Sequence, residues 1–346
     1  MDFKLTKTQM LQQELFRKFA ETEIKPIAKD MDEAEDYDRE LLQKLQKIGA
    51  FGIPYSREYG GQGADVLTYT LCMEEMSKVD ASTGITLSVH TSLCCPCINE
   101  FGTEEQKQKY LVPLAKGEKI GAFGLTEPSA GTDSSMQQTT AVLDGDEYVL
   151  NGTKVFITNA GYADIYVVIA MTDKSKGNKG ISAFIVEKGT PGFSVGKKER
   201  KMGIRGSATC DLIFENCRIP KENLLGKVGQ GFKIAMQTLD GGRIGIASQA
   251  LGIMQGAIDE CVKYVMERRQ FGKKIGQFQN TQFELADMAT KAEAAKLLVY
   301  EAAATKDAGK PYSHLSAMCK YFAGSTASDI TRRCLQLFGG YGYTRD

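Results

Sequence analysis

Two short segments of this chain combine residue types that could hold a flat polar ligand. Residues 123–134 (Phe-Gly-Leu-Thr-Glu-Pro-Ser-Ala-Gly-Thr-Asp-Ser) place glycines, a proline and several hydroxyl side chains in a loop that leaves an apolar, strand-like run. Such a loop can bring backbone N–H groups and short hydroxyls close to a ligand. Residues 156–160 (Phe-Ile-Thr-Asn-Ala) end a β-rich run and again place small donors where a sheet stops. Together the two segments predict a cofactor at the edge of a β-domain.

Three further segments could approach a phosphate, although each also has a purely structural interpretation. Residues 240–243 (Asp-Gly-Gly-Arg) put two glycines inside a helical pattern, at about 1 kcal/mol each relative to alanine, which favours close packing or ligand approach. Arg243 could hold a phosphate, but spacing alone favours a helix–helix contact with a surface arginine. Residues 268–272 (Arg-Arg-Gln-Phe-Gly) end a helix with cations that its dipole favours without any ligand. Residues 336–340 (Gln-Leu-Phe-Gly-Gly) could expose glycine N–H groups or form a simple helix C-cap.

The charge and apolar patterns argue against several classes of partner. Lys plus Arg and Asp plus Glu both total 43, and no run of one sign stands out, so neither nucleic acid nor a membrane surface is an expected partner. No apolar run approaches the length of a membrane span, and residues 1–10 contain no signal-peptide core. The nine cysteines, an odd number without such a signal, predict reduced thiols in a cytoplasmic protein.

Several common catalytic and metal sites find no support in the sequence. It contains no G-x-G-x-x-G, no Walker A motif and no G-x-S-x-G, which argues against Rossmann, P-loop and α/β-hydrolase chemistry. Its two histidines exclude a multi-histidine metal site. The Cys94-Cys95-Pro-Cys97 segment could suggest a metal or cluster motif, but no second ligand pair has matching spacing. A small-residue helix or loop is the preferred interpretation there, and no metal is expected.

The pattern of apolar residues and turn formers along the chain predicts an α+β protein with three successive domains. Residues 1–120 follow helical periodicity, residues 121–230 alternate short strands with turns, and residues 231–346 return to long helices. We therefore expect an N-terminal helical domain, a middle antiparallel β-barrel or sandwich, and a C-terminal helical bundle. The strands are predicted at residues 138–142, 148–150, 154–158, 165–171, 182–186, 193–195 and 211–214.

Capping signals indicate where helices begin and end. Leu11, Leu15 and Phe19 recur every four residues and predict the buried stripe of the first helix. Gly339 is predicted to close the helix of residues 313–338 in the C′ position. The pairs with capping-box spacing are Thr6 with Gln9, Thr103 with Gln106, and Thr281 with Glu284.

Taken in order, these segments resemble the acyl-CoA dehydrogenase family, and most closely its bacterial short-chain, butyryl-CoA members, from about residue 3 to residue 346. Any one segment is weak evidence, but the ordered set is highly specific. The segments that carry the resemblance are residues 124–133, 156–159, 201–205 (Lys-Met-Gly-Ile-Arg), 238–243, Arg268 with 271–272, 278–279 and 336–342. The helical–β–helical fold of the family agrees with the domain order expected from periodicity.

The resemblance implies FAD, held between the β-domain and the C-terminal bundle. The Thr158 hydroxyl would lie near flavin N5, and the loop around Ser134 would also touch the acyl-CoA. Asp240, Gly241 and Arg243 would line the channel for CoA. The later segments, from Arg268 onward, resemble positions that reach the FAD of a neighbouring subunit in a homotetramer built as a dimer of dimers. The implied cofactor-binding residues are Leu125, Thr126, Gly131, Thr132, Ser134, Phe156, Ile157, Thr158, Arg268, Phe271, Gln279, Gln336, Leu337, Gly339 and Gly340.

The resemblance also implies a reaction: α,β-dehydrogenation of butyryl-CoA to crotonyl-CoA, with electrons passed to an electron-transfer flavoprotein. A carboxylate removes the α-proton while hydrogen-bond donors stabilise the thioester oxygen and the flavin takes a hydride.

The position of that carboxylate departs from the family pattern. In butyryl-type members it belongs to a Tyr-Glu-Gly-Thr motif that is absent from residues 1–346, and in other relatives it precedes the arginine, where this chain has Gly242. The catalytic residue is therefore not identified, since the expected Glu lies beyond Asp346. We expect a C-terminally shortened dehydrogenase that turns over poorly as it stands; the alternative is a catalytically silent subunit that binds FAD or acyl-CoA.

Overall fold

The computed structural model describes residues 4–344, which divide into two compact units. The helical unit contains the described residues up to Ala28, Asp65–Gly84 and the described residues from Arg243 onward. The β unit contains Lys29–Ala64 and Ile85–Gly242 and holds the main sheet. The expected helical–β–helical order along the chain is confirmed. The domain boundaries near residues 120 and 230 stay predictions.

The described residues form eleven α-helices, ten strands and short helical turns. The helices are α1 (Lys7–Phe19), α2 (Ala28–Ala34), α3 (Arg39–Lys47), α4 (Val66–Val79), α5 (Ala81–Val89), α6 (Cys95–Phe101), α7 (Glu104–Gln106), α8 (Val112–Ala115), α9 (Gly231–Glu267), α10 (Gln279–Asp307) and α11 (Ser313–Leu337). The strands are β1 (Gly121–Gly124), β2 (Thr140–Asp144), β3 (Glu147–Thr158), β4 (Ile165–Met171), β5 (Ile181–Glu187), β6 (Phe193–Lys198), β7 (Thr209–Pro220), β8 (Leu224–Leu225), β9 (Arg269–Gln270) and β10 (Lys273–Lys274).

Two of the three predicted capping boxes form. Ahead of α1, Gln9 N donates to Thr6 Oγ1 at 3.2 Å and Thr6 N donates to Gln9 Oε1 at 2.9 Å, and the same reciprocal pair precedes α7. The third prediction is wrong, because α10 begins earlier, at Gln279, without a side-chain cap, which leaves Thr281 inside the helix.

The predicted stripe of the first helix is only partly correct. Leu11 and Leu15 are 65% and 49% exposed, whereas Phe16 and Phe19 are buried. The buried face of α1 is therefore rotated relative to the one that the four-residue spacing indicated. Four-residue spacing drifts around a helix with 3.6 residues per turn, so the spacing alone could not fix which residues face the core.

The predicted middle β-domain is confirmed, but its main sheet is mixed and open, which corrects the antiparallel pairing and the barrel of the predicted antiparallel β-barrel or sandwich. Its strand order is β6-β7-β3-β2-β4-β5-β8, with β1 also paired to β4. β1 and β2 run parallel to β4, whereas the other pairs are antiparallel. The order has two ends among residues 4–344, so the strands do not close into a barrel. The turn signals in the sequence report hairpins, and they carry no information on pairing between distant strands.

The core of the β unit lies on both faces of β4. Every residue of Ile165–Met171 is buried, as expected for a central strand. Alternate residues pack either with helix residues such as Leu114 or with the neighbouring strands. The thiols of Cys94, Cys95 and Cys97 are buried in the first of these clusters, on helical turns, so the structural interpretation of that segment is confirmed.

Candidate cofactor site

The two segments singled out in the sequence lie side by side in the β unit. After β1 ends at Gly124, the chain passes close to β3, where Val155 N donates to Thr126 O at 2.9 Å. At this point the register between β3 and β7 shifts between Lys154 and Ile157, as in a β-bulge. The loop of residues 125–139 and the bulge of residues 155–157 therefore form one continuous surface.

The bulge presents an aromatic ring in an unusual backbone conformation. Phe156 has φ 60° and is 66% exposed, whereas its neighbour Ile157 is buried. Positive φ is rare for a bulky residue, so an exposed phenylalanine held there indicates a functional constraint. Thr158, half-buried, follows at the end of β3.

Asn159 anchors the end of the bulge to the interior. It has φ 67° and is fully buried, and its Nδ2 donates to Thr86 O at 2.9 Å and to Gly121 O at 3.2 Å. The contact to Gly121 ties the end of β3 to the start of β1. Within the described part of the chain, its Oδ1 is buried without a hydrogen-bond partner.

The 125–139 loop is open where its glycine lies. Gly131 and Thr132 are exposed, and a Cβ added at Gly131 would meet nothing within 4 Å. Packing within residues 4–344 therefore does not require a glycine there, and its role toward a cofactor stays a prediction. Thr126 and Ser134 are half-buried, and Leu125 is buried.

A buried ion pair that the sequence reasoning missed lies beneath this loop. Lys154 Nζ contacts Glu127 Oε1 at 2.6 Å, with side-chain exposures of 0% and 2%. Lys154 has the same strand parity as the buried Tyr148 and Leu150 of β3, so a lysine on the apolar face was the available signal. A buried charge normally requires a partner, and Glu127 was the nearest acid in the loop that the sequence had already marked.

Burial and pairing act in opposite directions on these two groups. Burial lowers the pKa of the Lys154 amine to about 8, although Glu127 opposes that shift. Burial alone would raise the pKa of Glu127, but attraction to Lys154 and the hydrogen bonds to Glu127 hold it below its usual value. At neutral pH both groups are therefore charged, and Lys154 is an ammonium ion with three N–H donors.

The 240–243 segment lies within α9, as its helical pattern predicted. Gly241 and Gly242 are buried, and a Cβ at Gly242 would lie 2.6 Å from Leu93 Cδ2. Close helix packing is therefore the physical reason for Gly242. Asp240 and Arg243 are half-buried on the same helix. The predicted role of Asp240, Gly241 and Arg243 toward the substrate stays a prediction.

Several of the C-terminal residues meet in a groove of the helical unit. The groove has a volume of about 550 Å³ and is lined by Arg268, Leu337, Gly339 and Gly340, among others. Gly339 has φ 63° and follows Phe338, the C-cap residue of α11, which confirms its predicted C′ position. Residues 345 and 346, which follow this segment, lie outside the described residues.

The other predicted C-terminal residues lie around this groove. Gln336 lines a second groove of about 540 Å³, which shares Leu337 with the first. Phe271 is 92% exposed at the tip of the β9–β10 hairpin, where it and Gly272 have φ 51° and 76°, as in a type I′ turn. Gln279 is exposed at the start of α10.

Arg268 is the exposed cation of the first groove. Its guanidinium lies over the ring of Tyr341, 5.7 Å from the centroid, and it forms no ion pair within residues 4–344. An arginine without a carboxylate partner, beside glycines whose Cβ positions are open, is suited to a phosphate or pyrophosphate.

Two absences among the described residues concern membranes and metal ions. Within residues 4–344, no helix has both the length and the apolar character that a membrane crossing requires. In the same range, no group of three or more His, Cys, Asp or Glu side chains is arranged to hold a metal ion.

Comparison with known proteins identifies the family. Models described as the acyl-CoA dehydrogenase N-terminal, middle and C-terminal domains match residues 6–118, 122–217 and 229–346. A short-chain specific acyl-CoA dehydrogenase of Clostridium acetobutylicum is 59% identical over 346 residues, which cover 100% of this chain and 91% of that protein.

Solved structures agree with this match. A chain in a structure of the electron transferring flavoprotein of Acidaminococcus fermentans has a TM-score of 0.98 at 60% identity and covers 99% of this chain and 90% of its own. The butyryl-CoA dehydrogenase of Megasphaera elsdenii has a TM-score of 0.98 at 52% identity, with coverages of 99% and 91%. The fold, the order of the motifs and these similarities lead to one conclusion: the chain belongs to the acyl-CoA dehydrogenase family of FAD-dependent oxidoreductases.

Proposed function

We propose that this chain binds FAD and a short-chain acyl-CoA and serves the α,β-dehydrogenation of butyryl-CoA to crotonyl-CoA. One observation carries the proposal: the 125–139 loop and the 155–157 bulge form a single surface from which an aromatic ring is exposed at φ 60°. The relatives named short-chain specific acyl-CoA dehydrogenase and butyryl-CoA dehydrogenase support the choice of substrate.

The chemistry of the residues fits FAD. Phe156 supplies an exposed aromatic face suited to a planar ring, and Thr126 of the adjoining loop and Thr158 at the end of β3 supply hydroxyl donors. Arg268, which forms no ion pair within the described residues, supplies a cation suited to a pyrophosphate. FAD, when bound, would accept the β-hydrogen of the acyl group as a hydride.

The other proposed cofactor contacts follow from the same two surfaces. On the β unit they are Leu125, Gly131, Thr132, Ser134 and Ile157. On the helical unit they are Phe271, Gln279, Gln336, Leu337, Gly339 and Gly340, which we propose reach the FAD of a neighbouring subunit in a homotetramer. We propose that Ser134, Asp240, Gly241 and Arg243 contact the acyl-CoA.

The proposed electron acceptor is an electron-transferring flavoprotein, and the proposed location is the cytoplasm. The acceptor is supported by the 60% identical chain found in a structure of such a flavoprotein. The location is supported by nine free cysteines, all buried as thiols.

We propose that residues 1–346 bind both ligands but need a carboxylate from outside this range for turnover. The position before Arg243 holds Gly242, and residues 1–346 contain no Tyr-Glu-Gly-Thr. Removal of the α-proton needs a base within hydrogen-bond reach of it. A subunit that is silent by nature is the alternative.

An anaerobic titration of the FAD-reconstituted chain with butyryl-CoA tests the proposal. We expect the visible flavin band to shift without bleaching, because the binding surface is present and the base is not. Bleaching would show that a carboxylate within residues 1–346 acts as the base, and absence of FAD binding would contradict the proposed function. An in-frame Tyr-Glu-Gly-Thr in the coding region after codon 346 would remove the silent-subunit alternative.

A further inference from the structure

A fully buried ammonium group holds the 125–139 loop from beneath. Lys154 Nζ donates to Glu127 Oε1 at 2.6 Å, to Gln137 Oε1 at 2.5 Å and to Leu125 O at 3.2 Å. Three donors therefore meet three acceptors, and all three acceptors belong to the loop. Such a match leaves no donor for water or for a ligand.

The side chains of Glu127 and Gln137 extend this hydrogen-bond network to both ends of the loop. Glu127 accepts hydrogen bonds from Gln138 N at 2.6 Å and from Thr139 N at 3.1 Å. Gln137 Nε2 donates to Leu125 O at 3.2 Å and to Ser134 O at 3.0 Å. Residues at the start of the loop and residues at its end are thus fixed to the same lysine.

The same lysine lies next to the bulge on β3. Val155, the next residue, donates its backbone N–H to Thr126 O, and Phe156 follows with its strained backbone. The position of the loop relative to the exposed ring is therefore set within three consecutive residues of one strand. A change at Lys154 would therefore alter the position of the 125–139 loop relative to the 155–157 bulge.

We propose that Lys154, acting through Glu127 and Gln137, is a positioning residue that sets the flavin-contacting shape of the 125–139 loop. It does not touch the ligand, because its ammonium group is enclosed by loop atoms. The inference rests on the proposed function, since the loop is assigned to flavin binding there. Beyond that function, we infer that the hydrogen bonds of Lys154 fix the geometry of the loop and add little to the stability of the whole protein.

The choice of substitution can distinguish a role in loop geometry from a role in overall stability. Replacing a buried ion pair by apolar side chains of similar volume is often neutral for stability, whereas removing one partner leaves an unpaired buried charge and is strongly destabilising. The informative variant is therefore the double substitution Lys154→Met/Glu127→Leu, which removes both charges together. The matched control is Lys221→Met/Asp146→Leu, which removes an exposed ion pair of the same unit outside the loop.

The experiment measures FAD affinity, the midpoint of thermal unfolding and amide hydrogen exchange of the full chain. In the double variant we expect an FAD dissociation constant raised at least about tenfold and a modest fall in the unfolding midpoint, because Gln138 N and Thr139 N lose their acceptor. Faster exchange is expected at those two amides and at Val155, whose N–H joins the bulge to Thr126 O. The control variant should match the wild type in all three. A double variant with wild-type affinity and wild-type exchange at the loop overturns the proposal.

A second variant keeps the test decisive if the double variant fails to fold. Gln137→Met keeps the ion pair but removes one Nζ acceptor and the donors to Leu125 O and Ser134 O. Faster loop exchange and weaker FAD binding are expected, and unchanged values would overturn the proposal. If the wild type does not bind FAD, the proposed function fails, while the exchange data still decide whether Lys154 sets the loop.

Discussion

At the scale of single residues, Phe156 combines an unfavourable left-handed backbone conformation with an exposed ring. Left-handed backbone costs an ordinary L-residue roughly 1–2 kcal/mol, and glycine avoids most of that cost. We predict that Phe156→Gly stabilises the free protein by up to about 1 kcal/mol and weakens FAD binding by up to about tenfold, because the ring is lost. Chemical denaturation and an FAD titration of the same preparation measure both effects.

Glu35 provides the matched control for this prediction. It has φ 52° directly after α2, and Asp36 N donates back to Met31 O at 3.2 Å, as at a left-handed helix end. Glu35→Gly should give a similar gain in stability with no change in FAD affinity. If Phe156→Gly also left the affinity unchanged, the ring would not contact the flavin.

At the scale of elements, two glycines in long helices differ in their surroundings: one is in close contact with another helix and the other is not. A Cβ at Gly252 in α9 would lie 2.3 Å from Glu74 O of α4, whereas a Cβ at Gly324 in α11 would meet nothing within 4 Å. We predict that Gly252→Ala destabilises the protein by about 1–3 kcal/mol through overpacking. Gly324→Ala should instead stabilise it by up to about 1 kcal/mol, the difference in helix propensity.

Denaturant unfolding of both variants checks this pair. The two substitutions are chemically identical, so only the helix contact distinguishes them. Equal effects of the same sign would mean that α9 and α4 are not in backbone contact at Gly252.

The elements also show what the sequence could and could not predict. The bounds of β4, Ile165–Met171, match the prediction residue for residue, because a wholly apolar run between polar segments has one simple interpretation. The parallel pairing of β1 with β4 could not be predicted, since it joins segments about forty residues apart without a turn signal. Lys154 was missed because its partner is in a loop whose path the sequence does not fix.

At the scale of the whole molecule, the proposed cofactor residues occur in both units of the chain. The 125–139 loop and the 155–157 bulge belong to the β unit, whereas Arg268 and its groove belong to the helical unit. In the proposed homotetramer, one subunit would supply the first set and a neighbour the second. Such an arrangement makes FAD binding depend on assembly, and it can be tested by mixing two defective chains.

The two chains are an Arg268→Ala variant and a Phe156→Asp variant. Arg268 forms no ion pair among the described residues, and Phe156 is largely exposed at a positive φ that aspartate tolerates, so both chains should fold. Each variant alone should bind FAD at least about tenfold more weakly than the wild type, because every site loses one contact. Thermal unfolding of each variant without FAD checks that the fold is unchanged.

Mixed oligomers distinguish a cofactor site shared by two subunits from a site formed by one subunit. They are obtained by co-expressing the two variants with different affinity tags and purifying on both tags. If each site combines two subunits, half of the sites in a mixed dimer have both contacts intact, and the other half lack both. Because tetramers purified on both tags can also contain dimers of two like subunits, the FAD titration should then show a fraction of the sites, at most half, with wild-type affinity. If one subunit supplies both contacts, every site retains one defect and no high-affinity sites appear, which would contradict the shared cofactor site.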